Sequence, residues 1–313
     1  MENNRNFELN SNEMKSASAK CISSYKQVTY EMEKITDIVI RLIESKNNKN
    51  PNIKTLKTFK DKLEELKKYS MTELKSENFI IDIKDVFGRI SKTLKEFRND
   101  VIICAKKNGI NQVDKIANKL PGILINLFEN FNSYLKATSK EVNRVKDDIE
   151  VKKDKLEKIN KEIKENKERI KNKKEPLHEG LIGDVWNELL KFVDVATKYN
   201  ESLNTAQNYQ QMQKILYNQQ FHGKTIEGFA QGLTNAFSKI FGAFSLGSDK
   251  ISDCCKSLEK SITELKTAAQ NDNISEFLSD SRFTNILGGI TAIAGIYYLL
   301  KKGYEVIKRK LSA

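Results

Sequence analysis

Proline is nearly missing from this chain. Only Pro51, Pro121 and Pro176 occur in 313 residues, and many of the fourteen glycines fall in the C-terminal third. Helix breakers are therefore sparse, and long helices are expected. Cysteine is scarce as well. Cys21, Cys104, Cys254 and Cys255 lack the density and spacing of a disulfide framework or a zinc site. The neighbours Cys254 and Cys255 cannot bridge each other without distorting the backbone, so free thiols in a reducing cytosol are expected. The two histidines, His178 and His222, have no second ligand or catalytic partner at a recognised spacing. Gly223-Lys224-Thr225 has the ending of a phosphate-binding loop, yet the glycine required five positions before Gly223 is Asn218, and no strand precedes it. No nucleophile elbow, dinucleotide fingerprint or zinc-protease helix is present. An enzyme, a cofactor and a small-molecule substrate are therefore not expected. Met1 to Met14 is polar, with no apolar core, so no conventional signal peptide is expected either, and the glycosylation triplets at Asn200 and Asn273 carry no meaning without export.

What is abundant is charge. Charged residues make up 31% and apolar residues 39%, proportions that suit narrow helix bundles whose apolar stripes are thin relative to their wetted surface. The net charge of +12 fits nucleic acid and an anionic membrane equally well. From Met14 to Lys46, apolar residues from Cys21 to Leu42 recur every three or four positions, one amphipathic helix that ends at Asn47 to Pro51. A second helix is expected over Ile53 to Tyr69 and a third over Thr72 to Lys107, closed by Asn108-Gly109. A fourth begins near Asn111, meets a kink or break at Pro121-Gly122, and continues through Leu135. It runs on into Val142, Ile149, Leu156, Ile163 and Ile170, spaced by seven with Val145 and Ile159 between them, a coiled-coil seam over about 139–175 weakened by Lys152 and Asn166. The mixed Lys and Glu flanks of this seam read as a solvated face rather than a nucleic-acid arm, since no aromatics interleave them. Pro176 and Gly180 turn the chain back into a helix around Trp186. The expected fold is all-α, an elongated bundle of long antiparallel helices: a polar tail over 1–13, the bundle over 14–222, and a membrane-interacting part over 223–313.

Two segments of that last part resemble membrane chemistry. Between Ile226 and Leu246, phenylalanine and glycine replace lysine and glutamate. Ile226, Phe229, Leu233, Phe237, Ile240, Phe241 and Phe244 share one helical face, and the nearly uncharged Gln231, Thr234, Asn235, Ser238 and Ser245 share much of the other. Such a helix can lie in a bilayer interface or line a wet lumen, although a core helix would show the same aromatic stripe. After Gly247 a separate amphipathic helix over Ile251 to Ala269 is expected. Phe283 to Leu300 then forms eighteen positions without a charge, roughly 27 Å of helix, close to the thickness of a bilayer's hydrocarbon. Its lipid-facing candidates are Ile286, Leu287, Ile290, Ile293, Ile296, Tyr297, Tyr298, Leu299 and Leu300. Gly288 with Ala292, and Thr291 with Gly295, give the small-every-fourth spacing that lets apolar helices approach in lipid. Lys301, Lys302, Lys308, Arg309 and Lys310 follow as candidates for anionic headgroups. A bundle can also hide such a helix until it meets a membrane.

The combination of a long charged coiled coil, short bundle helices, a glycine-aromatic amphipathic segment and an uncharged terminal helix resembles the α-helical pore-forming cytolysins of the cytolysin A and haemolysin BL type. The likeness is one of arrangement over most of the chain. It implies a soluble helical bundle that inserts a covered apolar element while assembling with further copies or a related helical subunit, with Ile226 to Leu246 and Phe283 to Leu300 touching lipid. In that family the apolar element lies mid-chain, whereas here the strongest one is near the C-terminus. The other reading from the same residues is a cytosol-facing helical tether or scaffold held by a C-terminal anchor, for which thirteen residues after Leu300 are well suited. Nucleic-acid binding by net charge is the third. The two membrane readings place the protein either in solution before insertion into a target bilayer or permanently at a membrane surface.

Overall fold

The computed structural model describes residues 12–47, 49–73, 79–172, 223–271 and 273–312. Every regular element among them is helical: α1 (Asn12–Lys46), α2 (Asn52–Glu73), α3 (Phe79–Glu96), a π-helical segment (Phe97–Ile103), α4 (Cys104–Lys107), α5 (Val113–Ile116), α6 (Leu120–Lys171), α7 (Gly223–Asn271), α8 (Ile274–Phe277) and α9 (Ser281–Ser312). The chain is all-α, as its few breakers and helical periodicity imply. The turn at Pro176, the helix around Trp186, and both histidines lie outside the described residues. Two compact units form. The larger takes residues 10–139 and 249–298, the smaller 1–9, 140–248 and 299–313.

In the larger unit α1 and α2 pack as an antiparallel pair. Tyr25, Val28, Met32 and Ile35 of α1, and Leu56, Phe59 and Leu63 of α2, are each fully buried, worth about 1.5–3 kcal/mol apiece for the larger aliphatic and aromatic side chains. Tyr25 can sit there because its hydroxyl donates to the Leu66 carbonyl at 3.1 Å. Lys60 with Asp37 at 2.8 Å and Lys57 with Glu44 at 3.2 Å line the wetter edge, where such pairs add at most about 1 kcal/mol. Gly109 ends the run of α4 with φ +72°, a conformation that favours glycine, and Lys46 caps that turn by donating to the carbonyls of Asn108 and Gly109 at 3.2 and 3.0 Å.

The third helix expected up to Lys107 is interrupted by seven residues of π-helix, which no periodicity in the sequence announces. The fourth begins at Leu120 rather than near Asn111. Pro121 occupies its first turn, where the missing amide hydrogen costs nothing, and Val113–Ile116 is a separate turn of helix. The greatest difference is at Gly247. The expected boundary there is absent, and α7 is one helix of 49 residues. Gly247 is a point of close approach instead: a Cβ on it would stand 2.7 Å from Leu300 Cδ1, within the smaller unit.

Candidate membrane-contacting site

The first part of α9 belongs to the larger unit. Its start is fixed by an N-terminal Asp280, which accepts the backbone N–H of Arg282 at 2.8 Å while its two oxygens also take the Arg282 guanidinium Nε at 2.8 and 2.9 Å. Arg282 Nη1 donates onward to the Glu264 carbonyl of α7 at 2.8 Å. Phe283 enters an aromatic cluster, with ring centroids 5.5 Å from Phe128 of α6 and 5.1 Å from Phe277 of α8, both edge to face. From there Ile286, Ile290 and Ile293 are 0–1% exposed, and Gly289 lets α7 approach so closely that a Cβ would lie 3.3 Å from Leu258 Cγ.

The other side of the helix is different. Thr284, Asn285, Gly288, Thr291, Ala292 and Gly295 are exposed, and a Cβ on Gly288 or Gly295 would meet nothing within 4 Å. Tyr298 and Leu299 are 47% and 68% exposed. Leu287, Ile296 and Tyr297 are half-buried. Of the lipid-facing candidates, Ile286, Ile290, Ile293 and Leu300 are therefore covered and Tyr298 and Leu299 open, while the remainder of the open face is made of small, uncharged residues. Gly288, Thr291, Ala292 and Gly295 all fall on the open face. The stretch Ile274–Leu300 has the length and apolarity of a membrane span, although the turn at Leu278–Asp280 divides it, and 33% of its most apolar eighteen-residue window is buried. The side chains of Lys301, Lys302, Lys308, Arg309 and Lys310 lie outside the described ones.

The smaller unit holds the aromatic segment of α7. Leu233, Phe237, Ile240 and Phe244 are buried, as are Val142, Val145, Ile149 and Leu156 of the expected seam on α6. Phe241 is half-buried with Lys153 Nζ 5.3 Å above its ring. The side chains of Ile226 and Phe229 lie outside the described ones. Polar groups cross the same seam. Ser248 of α7 is hydrogen-bonded to Asn143 and Asn160 Nδ2 donates to Gln231 Oε1 at 2.8 Å, while Gln231 Nε2 donates along α7 itself to Asn235 Oδ1 at 3.1 Å. Asn143 and Asn160 are 17 positions apart and so are Gln231 and Ser248, so α6 and α7 run antiparallel in this unit. The polar side chains that the helical wheel assigns to a wet face are thus divided: Thr234 is buried and bonds the Ala230 carbonyl at 2.9 Å, while Asn235 stays exposed. Asn160 is 6% exposed, and its Oδ1 has no partner among the described residues, a cost of about 1–3 kcal/mol.

Neither this register of polar pairs nor the open face of α9 shows in hydropathy; the sequence carries the first only as the equal spacing of Asn143–Asn160 and Gln231–Ser248. Among the described residues no three His, Cys, Asp or Glu side chains gather as a metal site requires. No protein family, no characterised protein and no solved structure matches this chain.

Proposed function

We propose that this protein is a membrane-inserting helical bundle that permeabilises a bilayer, with α9 as the inserting helix, the first part of α7 as its amphipathic companion, and assembly of several copies in the membrane. One observation carries the reading. A helix on the surface of a chain that is 31% charged presents an open face with no charge from Thr284 to Leu299. A permanent core helix would be covered on both sides, and a surface helix of a soluble bundle would carry Lys and Glu there. The buried half of α9 supplies the isoleucines that a bilayer would accept in place of the bundle, and its open half supplies the small residues along which such helices pack. Release of α7 is helped by the polar seam, because Asn143, Asn160 and Gln231 exchange protein partners for water at little net cost.

The same open face would serve an anchor that makes no pore. Dye-loaded vesicles of anionic lipid separate the two. The proposal expects dye release by the full chain, weaker release by Phe241→Ala, and none by a chain ending at Ser281. Firm vesicle binding without release, lost on the same truncation, would assign an anchored tether instead. Retention on heparin with no affinity for vesicles would overturn both.

A further inference from the structure

A half-open cavity of about 320 Å³ lies within the larger unit, between the end of α3 with the π-helical segment on one side and the turn into α9 on the other. Its walls are of two kinds. Leu94, Phe283 and Leu287 form an apolar part, and Lys95 and Arg98 contribute two cationic groups. Neither cation has a carboxylate within ion-pair distance among the described residues. Arg98 donates through Nε to the Ser275 carbonyl at 3.0 Å and through Nη1 to Asn99 Oδ1 at 3.3 Å, bonds to neutral oxygens that leave its charge uncompensated. The one acid on the wall, Asp280, is already neutralised by the Arg282 guanidinium and by its backbone N–H. Ser279 and Thr284 add hydroxyls to the same rim.

Arg98 and Asn99 belong to the π-helical segment, a backbone form that is rare and concentrated at functional sites. The cavity is also at the small end of the range for organic ligands, large enough for a phosphate with its glycerol but not for acyl chains. Two positive charges beside an apolar wall match a ligand that is anionic at one end and oily at the other. We propose that this cavity binds the headgroup of a single anionic phospholipid, its phosphodiester on Lys95 and Arg98 and the first carbons of its chains against Phe283 and Leu287. The site goes beyond the insertion reading, since one lipid molecule can occupy it whether or not α9 ever leaves the bundle.

The test uses the full chain and dihexanoyl-phosphatidylglycerol below its micelle concentration, titrated by calorimetry beside inorganic phosphate and dihexanoyl-phosphatidylcholine. The expected order has the glycerol lipid binding at least about tenfold more tightly than either. Lys95→Glu should weaken it by about tenfold or more, the scale of one charge-assisted hydrogen bond, and Arg98→Lys should weaken it less. Lys92→Glu, an exposed position on the same helix, is the control for net charge and should change affinity by less than about threefold. Lys95 is exposed, so its variant should keep the wild-type melting curve by circular dichroism. Absence of binding, equal affinity for inorganic phosphate and the lipid, or equal loss in the Lys95 and Lys92 variants would overturn the site. Dye release measured in parallel keeps the two ideas separate: release without binding of the short-chain lipid sinks the cavity alone, and binding of that lipid without release sinks permeabilisation alone.

Discussion

Replacing Ala292 by lysine should divide the folded bundle from the membrane state more sharply than any other single change. Ala292 lies nine positions after Phe283 and eight before Leu300, so it is near the middle of the uncharged stretch. In the bundle its side chain is exposed on the open face of α9. Lysine has nearly the helix propensity of alanine, and an exposed substitution of this kind changes stability by no more than about 0.5 kcal/mol. In a bilayer the same position is close to the midplane, more than a lysine stem away from either headgroup layer. A lysine there costs about 2.5–3.5 kcal/mol on insertion scales, which is roughly a 60- to 300-fold loss in the inserted population. Vesicle leakage at fixed protein concentration reads the loss, and thermal unfolding in lipid-free buffer reads the bundle. Ser257→Lys, exposed on α7, supplies the same added charge outside the inserting helix and should leave leakage near wild type. Leakage by Ala292→Lys at the wild-type level, with the melting curve unchanged, would refute the claim that α9 crosses the hydrocarbon.

Three further outcomes follow from particular contacts. Phe128→Ala removes the ring between Phe87 and Phe283, at 6.3 and 5.5 Å, and should cost about 3–5 kcal/mol in chemical denaturation while speeding dye release, because the cover of α9 is loosened. Gly242→Ala places its methyl in open space and should stabilise the helix by up to about 1 kcal/mol, whereas Gly247→Ala, crowding Leu300, should gain at least about 1 kcal/mol less; equal melting shifts would show that Leu300 does not press on Gly247. Burial pushes the Cys255 thiol up to about 11, so at pH 8 only about 0.1% is thiolate against about a quarter for an ordinary cysteine. Its alkylation in buffer should be more than about 100-fold slower than in urea, with the less buried Cys254 modified first, and mass mapping checks the order.

Much of the fold was legible because its causes are local. The apolar spacing from Cys21 to Leu42 defines α1 to within two residues at its start, and the seven-residue spacing of Val142, Ile149 and Leu156 marks side chains that are indeed buried. The sequence leaves Gly247 ambiguous because a helix-weakening residue is neutral evidence between a break and a close approach, and only the position of Leu300 decides between them. The π-helical segment leaves no trace in periodicity, since the buried residues Ile90, Leu94, Phe97, Val101 and Cys104 keep the three- or four-residue spacing of an ordinary helix straight through it. Hydropathy marks the apolar residues of α9 alike and cannot tell Ile290, fully covered, from Leu299, largely open. That distinction depends on which helices pack against α9, a long-range matter. The cavity beside Lys95 and Arg98 was equally hidden, being assembled from segments about 180 residues apart in sequence.

Photolabelling with a lipid that carries a reactive group in its acyl chain reports residue by residue what touches the hydrocarbon, with the modified residues mapped by mass spectrometry. Insertion of α9 should put label on Ile286, Ile290 and Ile293, which the bundle covers, as well as on Ala292 and Gly295, and only when vesicles are present. Label confined to the open face, or absent from α9 under conditions in which the vesicles leak, would contradict it.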